Sequence, residues 1–191
     1  MRKTKRIFAL ILIIVIAAVF FLHKNGYSLS SLVPVSALST PANSTACYFT
    51  RDGNNPEGAL INVINSSKKT LYIAIYSITE KDISNAIISA KKRGVDVRVI
   101  TDCKESESGK QAEIIEQFKA AGITVKVNNH SGIMHEKVTI ADGSTVTTGS
   151  YNYTVSASKY NDEVLVVIKS SGVANKFLKD FNAMWNKYPS I

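Results

Sequence analysis

Histidine, cysteine and tryptophan are scarce in this 191-residue chain: it has three, two and one of them. There is no CxxC, no HExxH and no paired Cys/His spacing, so the common zinc frameworks are excluded. The residues call for no metal and no cofactor. Two cysteines are too few for a disulfide-stapled scaffold, although Cys47 and Cys103, each at the end of an expected strand, remain free to pair in an oxidising compartment. No long internal repeat occurs, so whatever site the chain carries occurs in it once.

Acidic residues are missing from the first 24 positions, and what stands there instead is informative. "MRKTKR" carries Arg2, Lys3, Lys5 and Arg6, and an uncharged run follows from Ile7 to Leu22. Basic then apolar is the order of a secretory signal. As a helix the run spans about 24 Å, against a hydrocarbon core of about 30 Å. Arg6 and Lys24 are placed to snorkel at its two ends. Residues 1–24 therefore read as a signal peptide or an uncleaved signal anchor. The remainder is expected outside the cytoplasm, periplasmic or secreted, or held to the inner membrane by residues 7–22. Without these first 24 residues the chain has 18 basic against 15 acidic side chains, so the net charge of +8 belongs mostly to the leader. Bulk charge thus gives no argument for a polyanion partner.

Residues 25–45 are rich in Ser, Thr and Pro and read as a flexible tether. From residue 46 to 191, strand and helix patterns alternate. "ACYFT" reads as a strand, "NNPEGALINVINSS" as a helix capped by Asn55 with Pro56 in its first turn, and "TLYIAIYS" as a strand buried on both faces. A helix from Thr79 to Gly94, the strand "VDVRVITD", a helix ending at Gly122 and the strand "ITVKVN" follow. Two strand-like runs then meet at Asp142-Gly143, a hairpin signal. "EVLVVI" and a closing helix from Ser170 to Asn186 complete the chain. This order implies one α/β domain with a mixed, mostly parallel sheet and helices on both faces.

The hairpin carries the chemistry. Residues two apart on a strand share a face, so His135 and Lys137 project together while Glu136 points away. The turn brings Gly149 and Ser150 back toward the start of the first strand, and Asn152 adds an amide near a helix start. An imidazole, an ammonium, a hydroxyl and an amide suit a phosphodiester: the cation and donors hold the non-bridging oxygens while the imidazole approaches phosphorus. Singly, each residue reads more blandly, as a strand histidine, an edge lysine or a turn residue; it is the set that argues for a site. Tyr76 and Ser77 end a central strand and either border the cleft or pack in the core. Trp185, Phe177, Phe181 and Leu178 read as core.

The spacing His135-x-Lys137-x4-Asp142-x6-Gly149-Ser150-x-Asn152 resembles the signature of the phospholipase D superfamily. "IAIYSIT", "AKKRGVDVRVITD", "SGKQAEI" and "YNDEVLVVI" are similar to short, single-motif bacterial members, the Nuc-type endonucleases. The resemblance covers about residues 46 to 188 and implies the fold of that superfamily. It also implies a two-step reaction: one histidine attacks phosphorus to form a phosphohistidine, and a second protonates the leaving oxygen. By this resemblance His135 is the nucleophile or acid, Lys137 and Asn152 bind phosphate oxygens, and Ser150 hydrogen-bonds nearby. Glu163 orients the imidazole, and Asp142 and Gly149 complete the motif structurally. His130 has no lysine two residues on, so the second imidazole is expected from a second copy of the chain, in a homodimer with both motifs at its interface. A nucleic-acid substrate is expected first; phosphatidylcholine or a related phospholipid, cleaved to phosphatidic acid, is the alternative.

Overall fold

The computed structural model describes Lys24 and residues 43–191 apart from Ser108. The leader apart from Lys24 and nearly all of the expected tether lie outside the described residues; β1 (Ser44–Phe49) opens within the last part of that stretch. Among the described residues no helix is long and apolar enough to cross a membrane.

Helix α1 (Pro56–Ser66) begins as its sequence dictates: the Asn55 side chain accepts from Gly58 N–H at 2.8 Å, and Pro56 needs no donor in the first turn. Apolar runs form β2 (Thr70–Ile75), β3 (Asp96–Thr101) and β4 (Thr124–Val127). Between them lie α2 (Lys81–Lys92), the short α3 (Cys103–Ser106) and α4 (Gly109–Ala120). Helix α2 is capped by Glu80, whose side chain accepts from Lys81 N–H. Thr79, expected at the cap, instead gives its N–H to Tyr153 O at 2.9 Å. The chain then forms β5 (Lys137–Ala141), β6 (Thr145–Gly149), α5 (Val155–Lys159), β7 (Val164–Lys169) and α6 (Ser171–Lys187).

The strands make one mixed sheet in the order β1-β7-β6-β5-β2-β3-β4. β2, β3 and β4 are parallel, with Ile73 opposite Val99 and Val99 opposite Val125. The remaining ladders are antiparallel, so the parallel part is narrower than the strand–helix alternation implies. β1 is the reason on one side: it crosses to the far edge and pairs with β7 instead of β2. Period-2 alternation divides the core. Leu71, Ile73 and Ile75 of β2 face Leu60, Ile64, Ile83, Ile87 and Phe118 of α1, α2 and α4. Ala74, Ile100, Val138, Ile140 and Val146 face Ala174 and Phe181 of α6. Helices thus cover both faces, as expected.

Cys47 and Cys103 are both free, so the pairing that the sequence left open is not made. Cys47 lies in β1, and Cys103 follows β3, five positions away in the sheet order. At about 4.8 Å per strand that is roughly 24 Å, where a disulfide tolerates a Cα separation of no more than about 7 Å.

Candidate active site

Strand polarity assembles the site. Antiparallel pairing brings the C-terminal ends of β2 and β6 and the N-terminal ends of β5 and β7 to one edge. Ile75 pairs with Lys137 and Gly149 with Leu165; the β5–β6 register, continued from Thr139 opposite Thr147, sets Lys137 level with Gly149. The residues of the motif that were expected to act on a substrate lie along this edge.

His135 stands just ahead of β5 and is exposed, and Lys137 opens the strand with only 5% of its surface accessible. The Lys137 ammonium donates to the His135 carbonyl at 2.8 Å and sits 5.1 Å from the centroid of the Tyr76 ring. It forms no ion pair among the described residues. Burial lowers the pKa of Lys137 below its ordinary value, and the charge of Glu163 pulls it partly back. The His135 ring meets the same tyrosine, with centroids 4.7 Å apart and planes at 63°. Main-chain contacts fix the segment: Tyr76 N–H donates to Glu136 O at 2.9 Å, and Met134 N–H to the buried Asp102 carboxylate at 2.9 Å. Glu136, on the opposite face, meets Asp180 of α6; burial, the charge of Asp180 and their shared hydrogen bond push its pKa up to about 7.

On the return strand Gly149 adopts φ +144°, and a Cβ there would lie 2.1 Å from Val164 O. No other residue fits so close an approach. The closeness lets Val164 O accept from Ser150 N–H at 3.1 Å, while Ser150 Oγ donates to Glu163 Oε2 at 2.5 Å. Asn161 Nδ2 donates to the other Glu163 oxygen at 3.0 Å. Within one chain, then, Glu163 is held by Ser150 and Asn161 and acts on Lys137 by charge; among the described residues its carboxylate has no hydrogen bond to His135. Asn152 lies before α5, whose cap is Thr154. Tyr151 and Tyr153 on either side are fully buried, with their hydroxyls paired to Ser158 (2.6 Å) and Thr139 (2.7 Å), which turns Asn152 the other way. Tyr153 N–H donates to Ser77 O at 3.0 Å, fastening this segment beyond the end of β2. Asn152 Oδ1 is buried with no hydrogen-bond partner. An unsatisfied acceptor of this kind costs about 1–3 kcal/mol and marks a place where the fold is not optimised for stability.

Asp142 lies at the other end of the hairpin. Its carboxylate accepts from the N–H groups of Lys68 (2.9 Å), Lys69 (2.7 Å) and Thr70 (3.0 Å), and its own N–H donates to Thr70 O at 3.0 Å. Burial opposes ionisation there, but these donors and the charge of Lys69 outweigh it and hold the pKa below its ordinary value. Asp142 is a clamp between the hairpin turn and the start of β2.

Residues 60–185 match the family described as cardiolipin synthase, PLD-like domain. The chain belongs to the phospholipase D superfamily. Over 78% of its length it superposes on 98% of Nuc, a phospholipase D family member from Salmonella typhimurium, with 31% identity and a TM-score of 0.74. It is 30% identical to a phospholipase D of Rickettsia prowazekii over 160 residues, covering 82% of this chain and 71% of that one. It is 29% identical to a mitochondrial cardiolipin hydrolase of Xenopus tropicalis over 158 residues, covering 82% and 70%. Across such curated relatives the chain spans 56% to 71% of their length. These likenesses make this member of the superfamily a hydrolase.

In this phospholipase D superfamily member, His130 accepts from Gly132 N–H at 3.1 Å and rests 6.0 Å from the Tyr188 ring. Glu57, Glu80 and Asp82 are the carboxylates whose oxygens lie within 4.8 Å of one another among the described residues; exposed acids commonly cluster so without an ion, and no motif residue belongs to the group. Sequence reasoning missed Asp102, Asn161, Tyr151 and Tyr153. For the tyrosines a signal was there: aromatics either side of Asn152 read as strand-like alternation that turns the amide to the other side.

Proposed function

We propose that the chain is a metal-independent endonuclease that cleaves phosphodiester bonds of DNA and RNA through a phosphohistidine on His135. Lys137 carries the reading: an ammonium taken out of water with no carboxylate within ion-pair distance is unfavourable for folding and suited to an anionic ligand. Asn152 adds a half-buried amide turned away from Tyr151 and Tyr153, and the charge of Glu163 favours the charged form of Lys137. A His135 ring nitrogen attacks phosphorus as the bond to the leaving oxygen breaks. That oxygen takes its proton from a second imidazole. Water, giving its proton to that second imidazole, then attacks phosphorus, breaks the P–N bond and leaves a phosphomonoester.

The second imidazole belongs to a second copy of the chain. Three exposed apolar side chains surround the site and support such an interface: Ile133 (53%) precedes His135, Tyr160 (68%) precedes Glu163, and Phe49 (46%) pairs with Val164. A polymeric substrate is supported by Lys81 and Lys110, at the starts of α2 and α4, which line a cavity of about 300 Å³ at the same end of the sheet. Phosphates beyond the scissile bond would meet them; a lone phospholipid head group would not. The phospholipid reading rests on the same apolar rim and on the names of the relatives.

The full-length chain, assayed with EDTA against plasmid, RNA, phosphatidylcholine and bis(4-nitrophenyl) phosphate, separates the readings. His135→Ala should keep the wild-type Tm and lose on the order of 10⁴ in turnover. Lys81→Glu/Lys110→Glu should lower plasmid and RNA cleavage about tenfold and spare the small diester. Undiminished cleavage by His135→Ala sinks the catalytic assignment, and cleavage of phosphatidylcholine alone sinks the nuclease.

A further inference from the structure

The Tyr76 ring meets the two side chains that the reaction needs most, and among the described residues no side-chain hydrogen bond holds one of them. His135 is exposed and makes no side-chain hydrogen bond among the described residues; its one ring contact is Tyr76, at 4.7 Å and 63°. The Lys137 ammonium lies over the same ring at 5.1 Å. Tyr76 itself is held more firmly than either. Its N–H donates to Glu136 O at 2.9 Å, and its carbonyl accepts from Thr101 Oγ1 and the buried Gln111 amide, each at 3.3 Å. Its hydroxyl donates to Glu105 Oε1 at 3.2 Å. The ring is thus anchored at both the backbone and the far tip.

We propose that Tyr76 is a positioning residue that sets the attitude of the His135 imidazole and, through its π face, holds Lys137 as a charged ammonium beside it. The proposal rests on His135 as nucleophile and deepens that reading. An imidazole without a hydrogen bond turns freely about its side-chain torsions, and an attacking nitrogen must point at phosphorus; a fixed ring against it removes much of that freedom. An ammonium with little water around it gains from an aromatic face in place of a carboxylate, and a carboxylate in that place would compete with the phosphate. A tyrosine serves both needs without adding negative charge.

The test uses the full-length chain, with bis(4-nitrophenyl) phosphate as substrate, and follows the titration of Lys137 by NMR in ¹³C-lysine-labelled protein, assigned by Lys137→Arg. Tyr76→Leu with an unchanged Tm should lose about 10- to 100-fold in kcat with KM within about threefold. Its Lys137 should titrate at lower pH by about half to one unit, since the ammonium has lost its aromatic face. Tyr76→Phe and Tyr76→Trp should keep most of kcat and the wild-type Lys137 titration. Tyr76→Met, which conserves bulk without a π face, gives the same reading should the leucine variant fail to fold. Wild-type kcat and Lys137 titration in a folded Leu or Met variant would overturn the proposal, as would Tyr76→Phe falling as far as Tyr76→Leu. A chain that folds with neither Leu nor Met would make the ring a core element and end the proposal too. His135→Ala runs alongside: if it stays active the nucleophile assignment fails, while the Lys137 titration still reports on the ring contact by itself.

Discussion

The two ends of the β5–β6 hairpin belong to one motif and obey opposite rules. At the turn, Asp142 has a partner for every need: three N–H donors on its carboxylate and Thr70 O for its own N–H. At the open end, about 17 Å away at 3.4 Å per residue, Lys137 lacks an ion pair and His135 lacks any side-chain hydrogen bond among the described residues. Saturated polar groups stabilise a fold, whereas unsatisfied ones are tolerated where a ligand completes them. The motif is therefore divided in its bonding: its aspartate and glycine build the hairpin, while its histidine and lysine are left without the polar partners that saturate the turn.

Removing the ammonium is the severest way to break the comparison. Lys137→Met fills the same space with no charge to desolvate. We expect turnover of a phosphodiester to fall by at least about 10²-fold, as for loss of a group that stabilises developing charge. Stability should rise by about 1 kcal/mol or stay level, because an unpaired buried cation has gone. Denaturant unfolding beside the activity assay decides it: a variant that loses stability and keeps its rate would place Lys137 with Asp142 instead.

Asp142→Asn should do the reverse. The amide keeps one acceptor oxygen and gives up the charge, so about 2 kcal/mol of stability should go, or roughly 4–8 °C in Tm, with turnover per folded molecule unchanged. The sign with pH follows from the depressed pKa of Asp142. Its contribution is complete above the ordinary aspartate value and is lost as pH falls through the depressed one. Thermal scans from pH 7 downward should converge for wild type and variant at the acid end; a gap that persists there would mean the clamp does not act through its charge.

The same division explains what could be read in the chain beforehand. Helix starts and stops, the apolar runs and the Asp142-Gly143 reversal are local, and Asn55, Pro56 and the hairpin stand where their chemistry puts them. The motif was legible because its spacing is carried by one hairpin. What escaped depends on contacts between distant segments. β1 offers only weak alternation, with Thr45, Ala46 and Cys47 all exposed, so nothing local sends it to the β7 edge. Its strand order in turn decides that Cys47 and Cys103 cannot meet. Ser150 reaches Glu163 across the β6–β7 ladder where Gly149 lets the two strands approach closely. A tyrosine at a strand end reads equally as core, and only the folded sheet shows which residues Tyr76 touches.

The smallest effect lies on the other face of the open end. Glu136 sits between His135 and Lys137 yet points at Asp180, and its pKa of about 7 stands above the ordinary 4.5. The folded chain keeps a proton there that the unfolded chain has already released. The resulting stability is complete below about pH 4.5 and drains away as pH rises through 7. Glu136→Gln keeps a donor for Asp180 at every pH and removes the repulsion between two carboxylates. It should match wild type near pH 4 and exceed it at pH 8 by about 1–2 kcal/mol. The cleavage rate at neutral pH should be unchanged, because the side chain is on the α6 side of the strand. If the rate moved with the stability, the two faces of this short segment would be coupled, and the division between a supporting face and a reacting one would have to be drawn elsewhere.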